Sequence, residues 1–531
     1  MKQSIKKSTN SGGSNRLVPS DRMTLNNNRS LQPSLRASRY GTYKRNCVAF
    51  FALMALIATS EARPPNILFA IADDWGAHAG VYGDPVVKTP VFDRIAQEGI
   101  LFNHAYISSP SCAPSRAAIL TGQWHWRLDE AANLYGPIPA SNPVYPDLLE
   151  AAGYFVGYTR KGWGPGKLGD RPRNPAGNQF KNFAQFLAQR PKDKPFCFWF
   201  GSHNPHRGYA KDSGAKSGIP LDKIELPPDF PDSPEVRGDI ADYYLMVQRF
   251  DRETGEHIEQ IRAIGELSNT IVVMTSDHGM PFPRGKSNIY DQGTRVPLAI
   301  CWPGHYAGGH RIEDFVSSTD YAPTFLELAG LPVPEIMTGR SLVQLLTAGK
   351  SGWIDPTRKH VLFGKERHAP CQAGSDSGGY PCRAIRTEHF LLIHNFTPDR
   401  WPAGTEDYKN AFIKGAWFAD CDNGPTKTYM VKNRDKDAQH RRLFDLAFAK
   451  RPEFELYNLR KDPNEQRNQV ANPEYAKVLA TLKRQLENEL RATDDPRVVG
   501  GGEKFDTYPY TGGTPKSPDF KRRARKKKVR K

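Results

Sequence analysis

The chain has 531 residues, 38% hydrophobic and 11% aromatic, the composition of a globular protein too long for one small core. Its formal charge of +17 is misleading, because residues 1–45 carry +9 and residues 521–531 another +9, leaving the body near −1. A near-neutral body excludes a polyanion-binding surface spread over the whole molecule, and the basic run at the end fits a solvated tail.

Eleven apolar residues, 48–58, follow Lys44-Arg45 and precede the small residues Ser60 and Ala62. That pattern predicts a secretory signal too short to span a bilayer, and a mature chain beginning near Arg63 that works outside the cytoplasm. The long basic region before it makes Met23 an alternative start, and the lack of paired arginines there favours export in the unfolded state.

Residues 66–72 form a continuous apolar run ending in Asp73-Asp74, as expected of a strand buried on both faces in a parallel sheet. Pro90 opens a helix through Glu98, with Val91, Ile95 and Ala96 on one side and Gly99 as its stop. Apolar runs at 196–200, 270–275 and 296–302 alternate with helical stretches near 145–152, 240–264 and 321–329. This alternation predicts an α/β fold, a large doubly wound mixed sheet flanked by helices. After about residue 350 the pattern changes to short strands at 361–363, 390–396 and 455–459 and an amphipathic helix at 474–490. The expected organisation is a basic leader and signal over 1–62, an α/β domain over 63–350, a smaller α+β domain (antiparallel sheet plus helix) over 351–515, and a basic tail over 516–531.

Of seven cysteines, Cys47 leaves with the signal. Cys371 and Cys382 flank a Gly/Ser-rich loop and are the first choice for a disulfide. No Cys-X-X-Cys pair occurs, which argues against a zinc ribbon or a thioredoxin-type site.

Ligands of doubly wound sheets bind beyond the carboxyl ends of the strands, where Asp73-Asp74 and Asp277-His278 both fall. Adjacent carboxylates at the end of a buried strand are costly unless a cation lies between them. Three carboxylates with other oxygen ligands suit a hard divalent ion such as Ca2+. Taken alone, each pair also fits a turn or a helix cap.

Between the two pairs lies Ser111-Cys112-Ala113-Pro114-Ser115-Arg116, followed by Leu120-Thr121-Gly122. This extended run resembles the signature of the type I sulfatases, a formylglycine-dependent family of the alkaline phosphatase-like superfamily. The resemblance spans Pro65 to about Asp495 and is closest in motif to the sulfamidases and their bacterial relatives. It is carried further by Asp277-His278-Gly279-Met280-Pro281-Phe282-Pro283, Asn288-Ile289-Tyr290, Asn204-Pro205-His206-Arg207 and Glu455-Leu456-Tyr457-Asn458.

The resemblance implies hydrolysis of sulfate esters or sulfamates of sulfated polysaccharides or their oligosaccharides. Cys112 is expected to be oxidised by a separate maturation enzyme to formylglycine, whose hydrate offers one hydroxyl to attack sulfur and a second to expel sulfate. Asp73, Asp74, Asp277, His278 and the formylglycine at Cys112 match the family's metal ligands. Asparagine is more usual where His278 stands, and the softer imidazole leaves Mg2+ or Mn2+ as alternatives to Ca2+. Arg116 matches the arginine that holds the formylglycine environment, Lys161 and Lys286 the two sulfate-binding lysines, and His206 the general acid of the leaving group. Trp163 stands where a histidine is usual, so the acceptor of the last proton is unassigned.

The cluster Lys365-Glu366-Arg367-His368 is expected to reach over the pocket, with Arg367 and His368 gripping a sugar carboxylate or a second sulfate. Three aspartates set against a divalent metal, Arg116, Lys161 and Lys286 leave about +2, room for a sulfate monoanion. Rival readings are a phosphonate or phosphodiester hydrolase of the same fold, and a noncatalytic binder of sulfated glycan that keeps Cys112 as a thiol. The partners expected are a sulfated carbohydrate and the maturation enzyme, with neither nucleic acid nor a stable membrane span.

Overall fold

In the computed structural model β1 (Asn66–Ala72) forms where the first apolar run predicts it, and all seven residues are buried. Ile67, Phe69 and Ile71 enter one core while Leu68, Ala70 and Ala72 enter another, because strand side chains alternate between faces. The structure describes residues 63–520. The signal, Met23 and the basic run from 521 onward lie outside them.

The next strands in chain order are β2 (Ile100–Phe102), β3 (Ala105–Tyr106), β4 (Phe155–Arg160), β5 (Asn178–Gln179), β6 (Phe196–Gly201), β7 (Thr270–Ser276), β8 (Leu298–Cys301), β9 (His310–Ile312) and β10 (Val316–Ser317). β3 and β10 pair with each other, and the remaining eight form one sheet in the order β5-β4-β6-β1-β7-β8-β2-β9. β4, β6, β1 and β7 run parallel, whereas β8 returns antiparallel to β7. The reason is local: the chain between β7 and β8 folds back at one end of the sheet, with only the short helix Asp291–Thr294 in it. Without a crossover helix the returning strand must run antiparallel.

The helix expected near 240–264 spans Pro234–Ala263. Its earlier start follows from Ser233, whose side chain accepts from the Val236 amide, and from Pro234 at the first helical position. Its Val236, Ile240, Val247 and Phe250 cover the face of the sheet that carries Leu68 and Ala70.

A second sheet, in the order β11-β12-β13-β14, is antiparallel. Its strands are β11 (His360–Lys365), β12 (Cys382–Thr387), β13 (Phe390–Asn395) and β14 (Phe454–Asn458). The helix Ala476–Ala492 lays Leu482, Leu486 and Leu490 on Leu362, Ile385, Leu392 and Leu456. The opposite face of this sheet, with Phe363, Ala384 and Ile393, packs on Tyr106, Ile289 and Phe315 of the first part of the chain.

The expected Cys371–Cys382 disulfide does not form; both thiols are free and buried. Cys382 is a β12 residue paired in register with Lys365 and Asn395, while the Cys371 thiol donates to Asp420 Oδ1 at 3.4 Å. Among the described residues no helix is long and apolar enough to cross a membrane.

Candidate active site

Four adjacent parallel strands present the site. β1 ends in Asp73-Asp74, β7 in Asp277-His278, β4 leads to Lys161, and β6 leads to the loop with His203 and His206. Parallel neighbours end on the same side of a sheet, which is why these distant segments meet. Asp74 sits at φ 74, in the left-handed region that non-glycine residues rarely adopt, a departure of the kind that clusters at functional sites.

Cys112 opens the helix Cys112–Thr121, all ten residues of which are buried. Gly122 ends it in the left-handed conformation, its amide bonded to the Ala118 carbonyl. The Cys112 thiol lies 3.2 Å from His278 Nε2 and 3.7 Å from Asp73 Oδ1. The free amides of this helix start favour an anion at the same place.

Arg116, one turn on, donates from Nε to Asp277 Oδ2 at 2.8 Å and from one terminal nitrogen to the carbonyls of Lys161 and Gly162. It therefore ties three of the converging segments together. Lys161 Nζ donates to Asp73 Oδ1. Lys286 Nζ donates at 3.0 Å to Asp74 Oδ2 and at 3.0 Å to Asp422 Oδ2. Burial opposes ionisation of Asp277, but Arg116, His278 and Lys161 outweigh it and hold the carboxyl well below the usual range.

The donor set fits a divalent cation. Ligand atoms of Asp73, Cys112, Asp277 and His278 all lie within 4.8 Å of one another. Asp74 Oδ1 is buried without a hydrogen-bond partner among the described residues, 3.0 Å from His278 Nε2. His278 Nδ1 lies 3.1 Å from the Gly279 carbonyl. A carbonyl only accepts, so Nδ1 carries the hydrogen and Nε2 is left to face the carboxylates, the usual orientation of a metal-binding imidazole. Burial disfavours charge on this ring, yet Asp277 and Asp74 outweigh it and push it up to about 10. That pull marks concentrated negative charge that a cation would meet.

His206 Nδ1 lies 3.0 Å from the Arg207 carbonyl, so its Nε2 is the free nitrogen, 4.0 Å from Asp74 Oδ2. A cavity of about 710 Å3 is lined by Cys112, Lys161, His203, His206, Lys286, His368 and Asp422.

Two expectations change. Arg367 does not line the cavity; its guanidinium donates to the carbonyls of Ser377, Asp506, Tyr508 and Pro509. The rest of its cluster is buried too, with Lys365 on Asp420 at 2.7 Å and Glu366 held by Arg383 and Arg497. Only His368 faces the cavity, its Nδ1 2.8 Å from the Ser111 hydroxyl. Trp163 is a packing residue, 1% exposed, with Nε1 donating to the Lys167 carbonyl. Asp422 adds a carboxylate that the motifs do not contain and lowers the balance of charge around the site from about +2 to about +1. It sits in Asp420-Cys421-Asp422, a run with nothing to distinguish it from an ordinary loop. His203 carried a weaker signal, three residues before His206.

A mixed sheet with carboxylates, a cysteine and lysines converging at its strand ends makes the class of site that can hold a cation and an anionic ligand together. Comparison with known proteins narrows this class. The family model described as Sulfatase matches residues 65–167 and 176–331, and the model of the N-sulphoglucosamine sulphohydrolase C-terminal region matches residues 282–403. Human N-sulphoglucosamine sulphohydrolase is 29% identical over 500 residues, covering 84% of this chain and 94% of that protein. An ulvan-active sulfatase of Formosa agariphila is 25% identical, covering 81% and 75%. A structure solved in complex with its substrate D-glucosamine-2-N,6-O-disulfate shares the fold, with a TM-score of 0.57 at 22% identity, covering 82% of this chain and 98% of that one. The chain belongs to the sulfatase family and is a sulfuric ester hydrolase.

Proposed function

We propose that the chain hydrolyses sulfate esters or sulfamates of sulfated carbohydrates, with the reaction centred on residue 112. The observation that carries this reading is the position of Cys112, buried at a helix start within 3.2 Å of His278 and beside Lys161 and Lys286 on one cavity wall. The named activities of the human and the Formosa relatives, one on N-sulphoglucosamine and one on ulvan, support a sulfated sugar as substrate.

In this reading Lys161 and Lys286 bind the sulfuryl oxygens and face the charge that develops on them. Preorganised cations in a water-poor site supply most of the acceleration in such chemistry. Arg116 keeps Asp277 and the Lys161 loop in register, so the lysine is aimed before substrate arrives. His206 holds a proton at Nε2 and delivers it to the departing oxygen or nitrogen. The formylglycine made from Cys112 would supply the attacking hydroxyl. Asp73, Asp74, Asp277 and His278 would hold Ca2+, which supplies Lewis acidity when bound. Export through the N-terminal signal completes the reading and suits a substrate found outside the cytoplasm.

The test is mass analysis of the tryptic peptide spanning Cys112, from chain made in a host with the maturing enzyme. The expected peptide is lighter by the exchange of sulfur and two hydrogens for one oxygen, and the protein carrying it releases inorganic sulfate from N-sulfo-D-glucosamine or D-glucosamine 6-O-sulfate. An unmodified thiol in protein with full activity overturns the assignment of residue 112. Faster turnover of phosphonate or phosphate esters favours the hydrolase of the same fold.

A further inference from the structure

Asp422 sits where an anion-binding cavity has least use for a carboxylate. Its Oδ2 is taken by Lys286 Nζ at 3.0 Å. Its Oδ1 accepts no hydrogen bond from the protein among the described residues, and the side chain, 18% exposed, lines the cavity. Beyond Asp73 it is the only carboxylate on that wall among the described residues. A carboxylate oxygen left free in a cavity can accept a hydrogen bond from water or from a donor on the ligand that displaces it.

Position says which donor. Lys286 holds Asp422 Oδ2 at 3.0 Å, and His206, to which the proposed function gives the leaving group, lines the same cavity and acts on Asp422 electrostatically. Burial opposes charge on Asp422, but Lys286, His206 and His368 outweigh it and hold it below the usual range, so the group meets a ligand as an acceptor. A donor reaching it must lie on the sugar itself, close to the scissile bond, while the sulfuryl group occupies the lysines.

Resting on the sulfatase reading, we propose that Asp422 determines specificity by accepting a hydrogen bond from a free hydroxyl or amine of the sugar next to the sulfated position. A second sulfate at that place meets the carboxylate head-on and is rejected. The cavity is thereby set for sugars carrying one sulfate in this neighbourhood, and Lys286 is shared between sulfate binding and the orientation of its specificity partner.

The experiment compares N-sulfo-D-glucosamine and D-glucosamine 6-O-sulfate, which carry donors, with 4-nitrophenyl sulfate, which carries none, using formylglycine-containing wild type and Asp422→Asn. Because the readout is the sugar-to-aryl ratio of kcat/KM, any general loss from a disturbed Lys286 cancels. The ratio is expected to fall roughly 10- to 100-fold in Asp422→Asn, the span for a hydrogen bond to a charged acceptor, and to recover in part in Asp422→Glu. An unchanged ratio overturns the proposal. Should the position 422 variants fail to fold, a crystal structure of Cys112→Ala with the better sugar decides: a sugar donor on Asp422 Oδ1 supports it, and a carboxylate with no donor in reach overturns it. If wild type releases sulfate from none of the three probes, the sulfatase reading fails first and the proposal falls with it, whereas aryl turnover with an unchanged ratio sinks Asp422 alone.

Discussion

Arg116 Nε and Asp277 Oδ2 meet at 2.8 Å with neither side chain exposed. The arginine crosses from the helix that starts at Cys112 to the end of β7 and grips the Lys161 loop as well. Lysine has neither the fork nor the reach to make these contacts together. Arg116→Lys is expected to lower kcat/KM by about 100-fold through misplacement of Lys161, the scale of a 1 Å error in a reacting site. Steady-state kinetics with a thermal melt separates this loss from unfolding, and unchanged kinetics contradicts the positioning role.

Asp74 Oδ1, which accepts no hydrogen bond among the described residues, and the orientation of His278 lead to a metal prediction that needs no substrate. Added Ca2+ should raise the melting temperature, increasing with the logarithm of its concentration, and be worth about 2.7 kcal/mol at a hundred times its dissociation constant. Chelation should reverse the shift and Asp277→Asn should abolish it. A melt indifferent to Ca2+, Mg2+ and Mn2+ counts against the site.

His368 gives a pH dependence. Burial pushes its ring down to about 4, against about 6.5 for an unfolded histidine. Between these values the unfolded chain binds the extra proton, so stability rises with pH through that window. Its contribution is complete above about pH 6.5 and falls by about 3 kcal/mol as pH drops toward 4. Denaturant melts at pH 7 and pH 4.5 should differ more in wild type than in His368→Gln; equal differences contradict it.

Arg383 is fully buried on β12, bonded to Asp495 and to Glu366 Oε1 at 2.7 Å. Replacing it with Leu leaves two buried carboxylates short of a partner, although Arg497 still reaches Glu366. The expected loss is about 3–5 kcal/mol, readable as a lower denaturation midpoint. A loss below about 1 kcal/mol would show that Arg497 suffices.

These charges also explain what was legible in the sequence. β1, β6 and β7 stood out because both faces are buried, so their runs are mostly apolar. β12 did not, since Arg383 and Arg386 interrupt it; each is neutralised by acids from distant segments, Arg386 by Asp291. β4 was hidden by Gly157, Tyr158 and Thr159. The site was readable wherever a motif coincided with a strand end, as at Asp73-Asp74 and Asp277-His278. Asp422 was not, because its place in the cavity comes from the packing of the segment between β13 and β14 and leaves no local trace. Packing of distant segments also hid the fate of Arg367, whose partners lie about 140 residues away.

The helix that begins at Cys112 has no exposed face, and Cys112 as a whole is 3% accessible. Any enzyme that remodels this side chain needs the surrounding peptide laid out in its own cleft, and the finished molecule never offers that. On the proposed function, conversion of residue 112 would fall between synthesis and closure of the sheet. The order of events during biogenesis would then bear on what fraction of the molecules becomes competent.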